Sequence, residues 1–182
     1  MQYTRLGSPL KGRIGIHILL CVLAFGLAGC AATSGSDNSF TLYLVRHAEK
    51  QADGGRDPLL TEPGQQRAQH LADWFQDKDI EDIWSSDFNR TRSTAEPILS
   101  KTKLRIYDPG NLVSLSKILV KNQHNAIVVG HSNTTPELAR LLCLCVIDDM
   151  EESEYDRLIM ISVNAGKTRV ETLQQESLFE AR

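Results

Sequence analysis

The sequence predicts an α/β domain of three layers, an α/β/α sandwich with helices on both faces of a mostly parallel sheet. Three observations carry that expectation. Short apolar runs alternate with longer segments whose apolar residues recur at helical spacing. Three of the runs stop abruptly at polar or cationic residues: Arg46-His47-Ala48-Glu49 after 40–45, Ser85-Ser86-Asp87 after 80–84, and Gly130-His131 after 126–129. In an open parallel sheet, functional side chains collect at the carboxyl ends of strands, so residues distant in sequence can meet there around one ligand.

The elements follow in order. Residues 40–45 read as a buried strand, and 61–77 as a helix with Ala68, Leu71, Ala72 and Phe75 on one face and Thr61 as its N-cap. Residues 80–84 form a second strand, 87–100 a helix, 104–107 a short strand, 112–121 a helix and 126–129 another strand. Pro136 opens a helix running to about Cys145. Residues 157–163 and 168–173 flank Asn164-Ala165-Gly166-Lys167, a hairpin turn, so the βα alternation ends antiparallel. No internal repeat or second domain is visible.

At 182 residues, 41% apolar and 24% charged, the chain fits one globular domain with a sizeable core. Its net charge is −3; setting aside Arg5, Lys11 and Arg13 leaves 17 basic against 23 acidic residues, a net of −6. Such a domain is a poor general binder of nucleic acid.

Those three cations precede an apolar stretch, 14–27, and then Leu27-Ala28-Gly29-Cys30. This is the pattern of a secretory signal peptide, too short for a comfortable membrane span. Its ending resembles a bacterial lipoprotein signal, which implies removal of 1–29, lipidation of Cys30, a flexible tether over 30–39 and a folded domain over 40–182. At no more than about 3.6 Å per residue, the tether would reach about 30 Å from its anchor. Ala31 after the cysteine implies the outer membrane, with the domain facing the periplasm. Of the remaining cysteines, Cys143 and Cys145 point to opposite sides while their segment is helical, so no disulfide is expected, and Cys145 continues the Leu138, Leu141, Leu142 stripe as a small core residue.

The Arg46-His47-Ala48-Glu49 start, the Ser85-Ser86 segment leading to Arg90-Thr91, the later Gly130-His131, and Asp57-Pro58-Leu59-Leu60-Thr61-Glu62 followed by Gly64 occur in an order that resembles the histidine phosphatase superfamily, also called phosphoglycerate mutase-like. The likeness runs from about residue 40 to about 173. It implies the same three-layer fold, His47 as nucleophile, Arg46 and Arg90 as phosphate ligands, His131 completing the pocket, and no metal or other cofactor. The mutase branch inserts a covering segment between the arginine and the second histidine; its absence here implies an open pocket.

The residue types suit the chemistry. Phosphoryl transfer needs an in-line nucleophile and positive charge around the equatorial oxygens. A neutral imidazole supplies the first, and planar guanidinium forks pair bidentately with phosphate to supply the second. Glu49 and Lys50 lie just past the nucleophile, where they can touch substrate or orient His47. Ser132 and Asn133, with Thr134 and Thr135, stand at a helix start and read either as anion ligands or as ordinary caps.

The leaving-group acid stays open. Branches that place Asp directly after the second histidine use it, but Ser132 stands there. Asp108 is the alternative, with Glu137 in reserve; Asp108 also reads as a turn residue, because Asp-Pro-Gly is a turn signal.

Together these features predict a phosphomonoesterase of the cell envelope acting on a small phosphorylated substrate. Lipopolysaccharide sugar phosphates and phosphohistidine proteins are possible targets within that class. A non-catalytic phosphate-binding envelope module and a metal-dependent hydrolase are the rival readings.

Overall fold

Strand β1 (Phe40–Arg46) lies in the middle of a six-stranded sheet of order β3-β2-β4-β1-β5-β6. The computed structural model describes residues 39–53, 55–99 and 102–180. The expected signal peptide over 1–29, the lipidated Cys30 and most of the tether over 30–39 lie outside the described residues.

Strand β1 pairs in parallel with β4 (Ala126–Gly130), which pairs in parallel with β2 (Asp82–Ser86), which in turn pairs in parallel with β3 (Leu104–Tyr107). On its other side β1 runs antiparallel to β5 (Arg157–Asn164), which closes a hairpin with β6 (Lys167–Gln174). Ala165 and Gly166 both take positive φ, 48° and 76°, as a two-residue turn matched to strand twist requires.

Alternation along β1 splits the core in two. Leu42 and Leu44 face a cluster with Trp84, Tyr107 and Val128, covered by helices α3 (Leu112–Asn122) and α4 (Thr134–Cys143). Val45, Ile83, Ile127 and Val129 face Leu71 and Phe75 of α1 (Glu62–Phe75) and Ala95 of α2 (Asn89–Ala95). The terminal α5 (Gln175–Glu180) adds Leu178 and Phe179 to that side. This is the expected three-layer sandwich around a mixed sheet. Each fully buried Leu, Ile or Val contributes about 1.5–3 kcal/mol.

Several local expectations change. Helix α2 stops at Ala95 and passes into a 3₁₀ turn, Glu96–Ile98. Pro97 has no N–H and its ring crowds the preceding turn, so the helix cannot run on to residue 100. Strand β2 lies two residues later than its apolar signal, because Ser85 and Ser86, although polar, are fully buried and bond to neighbours: Ser85 Oγ donates to Ser86 O at 2.8 Å, and Ser86 Oγ lies 3.0 Å from Thr91 Oγ1.

Helix α4 begins at Thr134, with Pro136 inside its first turn, and ends at Cys143, where Leu144 turns left-handed at φ 54°. That reversal overturns both cysteine expectations. It brings the two Cα atoms to 5.2 Å, and Cys143 and Cys145 form a disulfide. Cys145 is exposed rather than part of the core. Helix α5 had no counterpart in the periodicity.

Candidate active site

The parallel strands deliver their chemistry to one end of the sheet. Arg46 is the last residue of β1 and pairs in register with Gly130 at the end of β4. His47 and His131 therefore follow neighbouring strands, and their ring centroids lie 5.5 Å apart. Gly130 permits this crowding: a Cβ there would meet Thr134 Oγ1 at 2.9 Å and the Thr135 and Tyr107 hydroxyls at 3.0 Å.

His47 is 2% exposed. Its Nδ1 sits 2.8 Å from the carbonyl of Ala48, and because a carbonyl only accepts, Nδ1 carries the proton and Nε2 keeps its lone pair. Burial lowers the His47 pKa to about 3, against the Ala48 carbonyl and reinforced by the charges of Arg46, His131 and Arg90. The ring is thus neutral at ordinary pH. His131 is lowered to about 4 by burial and then by Arg90 and Arg46. Its Nε2 lies 2.9 Å from Ser86 Oγ. With the Thr91 hydroxyl donating to Ser86 O, the consistent assignment has Ser86 donating to Thr91 and His131 Nε2–H donating to Ser86.

Arg46 is 1% exposed and divides its guanidinium between two tasks. Nη1 donates to the carbonyls of Glu151, Glu152 and Glu154, each at 2.9 Å, and Nη2 donates to Glu152 Oε2 at 2.9 Å. The Tyr155 ring stacks 4.2 Å from its guanidinium carbon. Arg90, in the first turn of α2, is positioned by Asp57, whose Oδ1 accepts from Asn89 N at 2.8 Å and lies 3.5 Å from Arg90 Nη1 without hydrogen-bond geometry. Phe88 stacks on Arg90 at 4.4 Å. Thr94 ties α2 to the His47 loop, accepting from Ala48 N at 2.9 Å and donating to Arg90 O at 2.7 Å.

Three donors of this pair, Arg46 Nε and Arg90 Nε and Nη1, are buried without any hydrogen-bond partner among the described residues. Trp84 Nε1 and Gln175 Oε1 are also unpartnered, but each is a solitary neutral atom. Buried charged donors are costly to leave open, so two arginines with open donors beside a neutral imidazole form a cradle for an anion.

The other expected residues fare differently. Glu49 turns away from the cradle to α1, where Arg67 Nε reaches both of its oxygens at 3.0 Å and Nη2 reaches Oε1 at 2.8 Å. Burial pushes its pKa up, and Arg67 with Arg46 outweighs that and holds it below the usual carboxylate value. Lys50 bridges to Leu60 through the backbone. Ser132 is buried and donates to Glu152 Oε1, whereas Asn133 is exposed and caps nothing. Thr134 accepts from His131 N at 2.9 Å. Asp108 is exposed, its carboxylate accepting from Gly110 N at 2.8 Å as a turn residue. Glu137 is exposed on the first turn of α4. Neither is hydrogen-bonded to the two histidines or two arginines among the described residues.

Residues 42–112 match the histidine phosphatase superfamily (branch 1). That stretch holds Arg46, His47, Asp57 and Arg90, and the geometry above adds His131, Ser132 and Glu152 from beyond it. The Escherichia coli protein named "Probable phosphoglycerate mutase GpmB" is 35% identical over 89 residues, 46% of this chain and 41% of that protein. A protein of the same name from Shigella boydii aligns equally well. The match thus spans less than half the length of those relatives.

Solved histidine phosphatase structures share the fold across most of the described chain. The protein histidine phosphatase SixA complexed with tungstate superposes with TM-score 0.62 at 17% identity, over 76% of this chain and 99% of that one. Phosphoglycerate mutase from Bacillus anthracis gives 0.60 at 19%, over 79% and 96%. Mycobacterial glucosyl-3-phosphoglycerate phosphatase gives 0.62 at 14%, over 75% and 99%. The fold is that of the histidine phosphatases, whose members are phosphatases or mutases.

Residues given no role by the sequence pattern complete the site: Glu152 and Tyr155 from the chain before β5, Phe88 before α2, and Ser86 and Thr94 in hydroxyl bridges. Asp57 and Ser86 had a signal, since both lie in segments of the motif set.

Proposed function

We propose that the chain is a phosphomonoesterase acting through phosphohistidine, with His47 Nε2 as nucleophile. The reading rests above all on the fixed neutral tautomer of His47 beside arginine donors that lack acceptors. Nε2 attacks phosphorus as the bond to the leaving oxygen breaks, and the equatorial oxygens take the open donors of Arg46 and Arg90. His131, itself neutral with its Nε2–H engaged by Ser86, lines the pocket beside the nucleophile. The leaving oxygen takes a proton, which we assign to Asp108 on its place after β3, with Glu137 in reserve. Water then cleaves the N–P bond and releases phosphate, restoring the imidazole.

The same proposal places the domain in the bacterial cell envelope. Cys30 would carry the lipid after removal of 1–29, holding the domain at the outer membrane on the periplasmic side, with a small phosphate ester as substrate. A Cys30→Ser variant that still incorporated labelled fatty acid would overturn the anchor.

The chemistry is tested by hydrolysis of p-nitrophenyl phosphate by a soluble form starting at Ala31, with chelator present and a His47→Ala control. Chelator-resistant turnover that the control loses supports the mechanism. Uptake of phosphate or vanadate without product would favour a binding module, and activity restored by one divalent ion would favour a metal-dependent hydrolase.

A further inference from the structure

The chain between α4 and β5 is strapped across the site. Arg140 holds its start, with Nε and Nη2 donating to Ile147 O at 2.9 and 2.6 Å and Nη2 also to Asp149. Arg157 holds its end through Asp148 O at 2.9 Å, Asp149 O at 3.1 Å and the Glu154 carboxylate. Between these clamps, buried Arg46 Nη1 donates to the strap carbonyls of Glu151, Glu152 and Glu154. The backbone of Glu152 is therefore fixed within reach of the cradle. Its carboxylate accepts from Arg46 Nη2 and from Ser132, yet the side chain is 79% exposed. It stands where the buried donors give way to solvent.

We propose that Glu152 is a specificity-determining residue: a fixed negative charge at the rim of the anion cradle, favouring phosphate monoesters with neutral or cationic leaving groups over those whose leaving group carries a carboxylate. The inference rests on the phosphomonoesterase reading for its substrate class. The phosphoryl group fills the buried donors, so the leaving group must lie toward the exposed side, beside this carboxylate. The surrounding strap reinforces the sign, since residues 148–156 include Asp148, Asp149, Glu151, Glu154 and Asp156, while Arg157 is already paired with Glu154. Among the described residues the charges of Arg46, Arg90 and Lys50 reach Glu152, and the two arginines are shared with the phosphoryl group.

The test compares three esters of similar size, 3-phosphoglycerate, glycerol 3-phosphate and phosphoethanolamine, by kcat/KM. Wild type should prefer phosphoethanolamine to 3-phosphoglycerate by about tenfold, the order of a screened like-charge contact near a surface, and less at high salt. Glu152→Gln should bring the ratio near one, and Glu152→Lys should invert it. A contact that merely held Arg46 in place would lower all three esters together, so an unchanged ratio in both variants would overturn the proposal. If wild type turns over none of the esters, the phosphomonoesterase reading fails on its own. The same three ligands are then ranked by calorimetric binding to wild type and both variants, where an equal ranking would overturn the role of Glu152.

Discussion

The two ends of the parallel strands handle buried charge in opposite ways. At the amino end, Asp82 opens β2 with its side chain 3% exposed, and both carboxylate oxygens have donors: Arg105 Nε at 2.6 Å, His124 Nδ1 at 2.9 Å and Asn122 Nδ2 at 3.4 Å. Burial alone would raise its pKa, and the bonds from His124 and Arg105 outweigh that, so the carboxyl stays below the ordinary aspartate value. At the carboxyl end, Arg46 and Arg90 keep three buried donors open. A satisfied buried charge stabilises and has nothing left to bind. An unsatisfied one is a standing destabilisation that a ligand removes, which is why the second end is read as the active site.

The sharpest way to break this contrast is to exchange the consequences of mutation at the two ends. His47→Ala should lower turnover of p-nitrophenyl phosphate about a thousandfold or more, the scale of losing a nucleophile, while the protein remains folded by circular dichroism. Next in size, Arg90→Lys should cost about 10- to 100-fold in kcat/KM, because an ammonium replaces a planar fork that pairs bidentately. A loss of less than twofold would mean that its open donors do not meet the substrate.

Asp82→Asn should do the reverse. It should lower unfolding free energy by about 1–3 kcal/mol in urea titration, as expected for disturbing charge-assisted hydrogen bonds at a buried group, and leave kcat within about twofold. A kcat collapse at unchanged stability would show that this end also serves catalysis, and the distinction between saturated and open charge would fail.

The contrast also explains what could be read from sequence. Arg46, His47, Arg90 and His131 interrupt or follow apolar runs, and a polar residue at the end of a buried strand has few reasons to be there besides chemistry. Asp82 gave no such signal, because it begins a strand whose polar character moved the expected boundary back to Ile80. Glu152 and Tyr155 were equally silent: they reach the site through the strap before β5, whose course depends on Arg140, Arg157 and the left-handed turn at Leu144. The disulfide had the same cause, since only the end of α4 at Cys143 lets the two sulfurs meet. Periodicity reports the scaffold, and side chains delivered by irregular segments lie outside what it can report.

The pH dependence of stability separates the two ends within a single experiment. His47 is lowered to about 3 in the folded protein, from an ordinary value of 6.5. Between those values the unfolded chain holds the extra proton, so stability rises with pH across that window and is lost as pH falls through it, at no more than about 1.4 kcal/mol per pH unit. Asp82 is depressed below its ordinary 3.8, so its contribution is present above that value and lost only as pH falls further. The active-site end should therefore weaken first on acidification, and the saturated end last. In urea unfolding measured from pH 7 to pH 2, His47→Gln should flatten the slope between about pH 6.5 and 3, whereas Asp82→Asn should flatten only the limb below about pH 3.8. If His47→Gln left the upper slope intact, the imidazole would not be held neutral by burial, and the lone pair assigned to Nε2 would no longer follow from the fold.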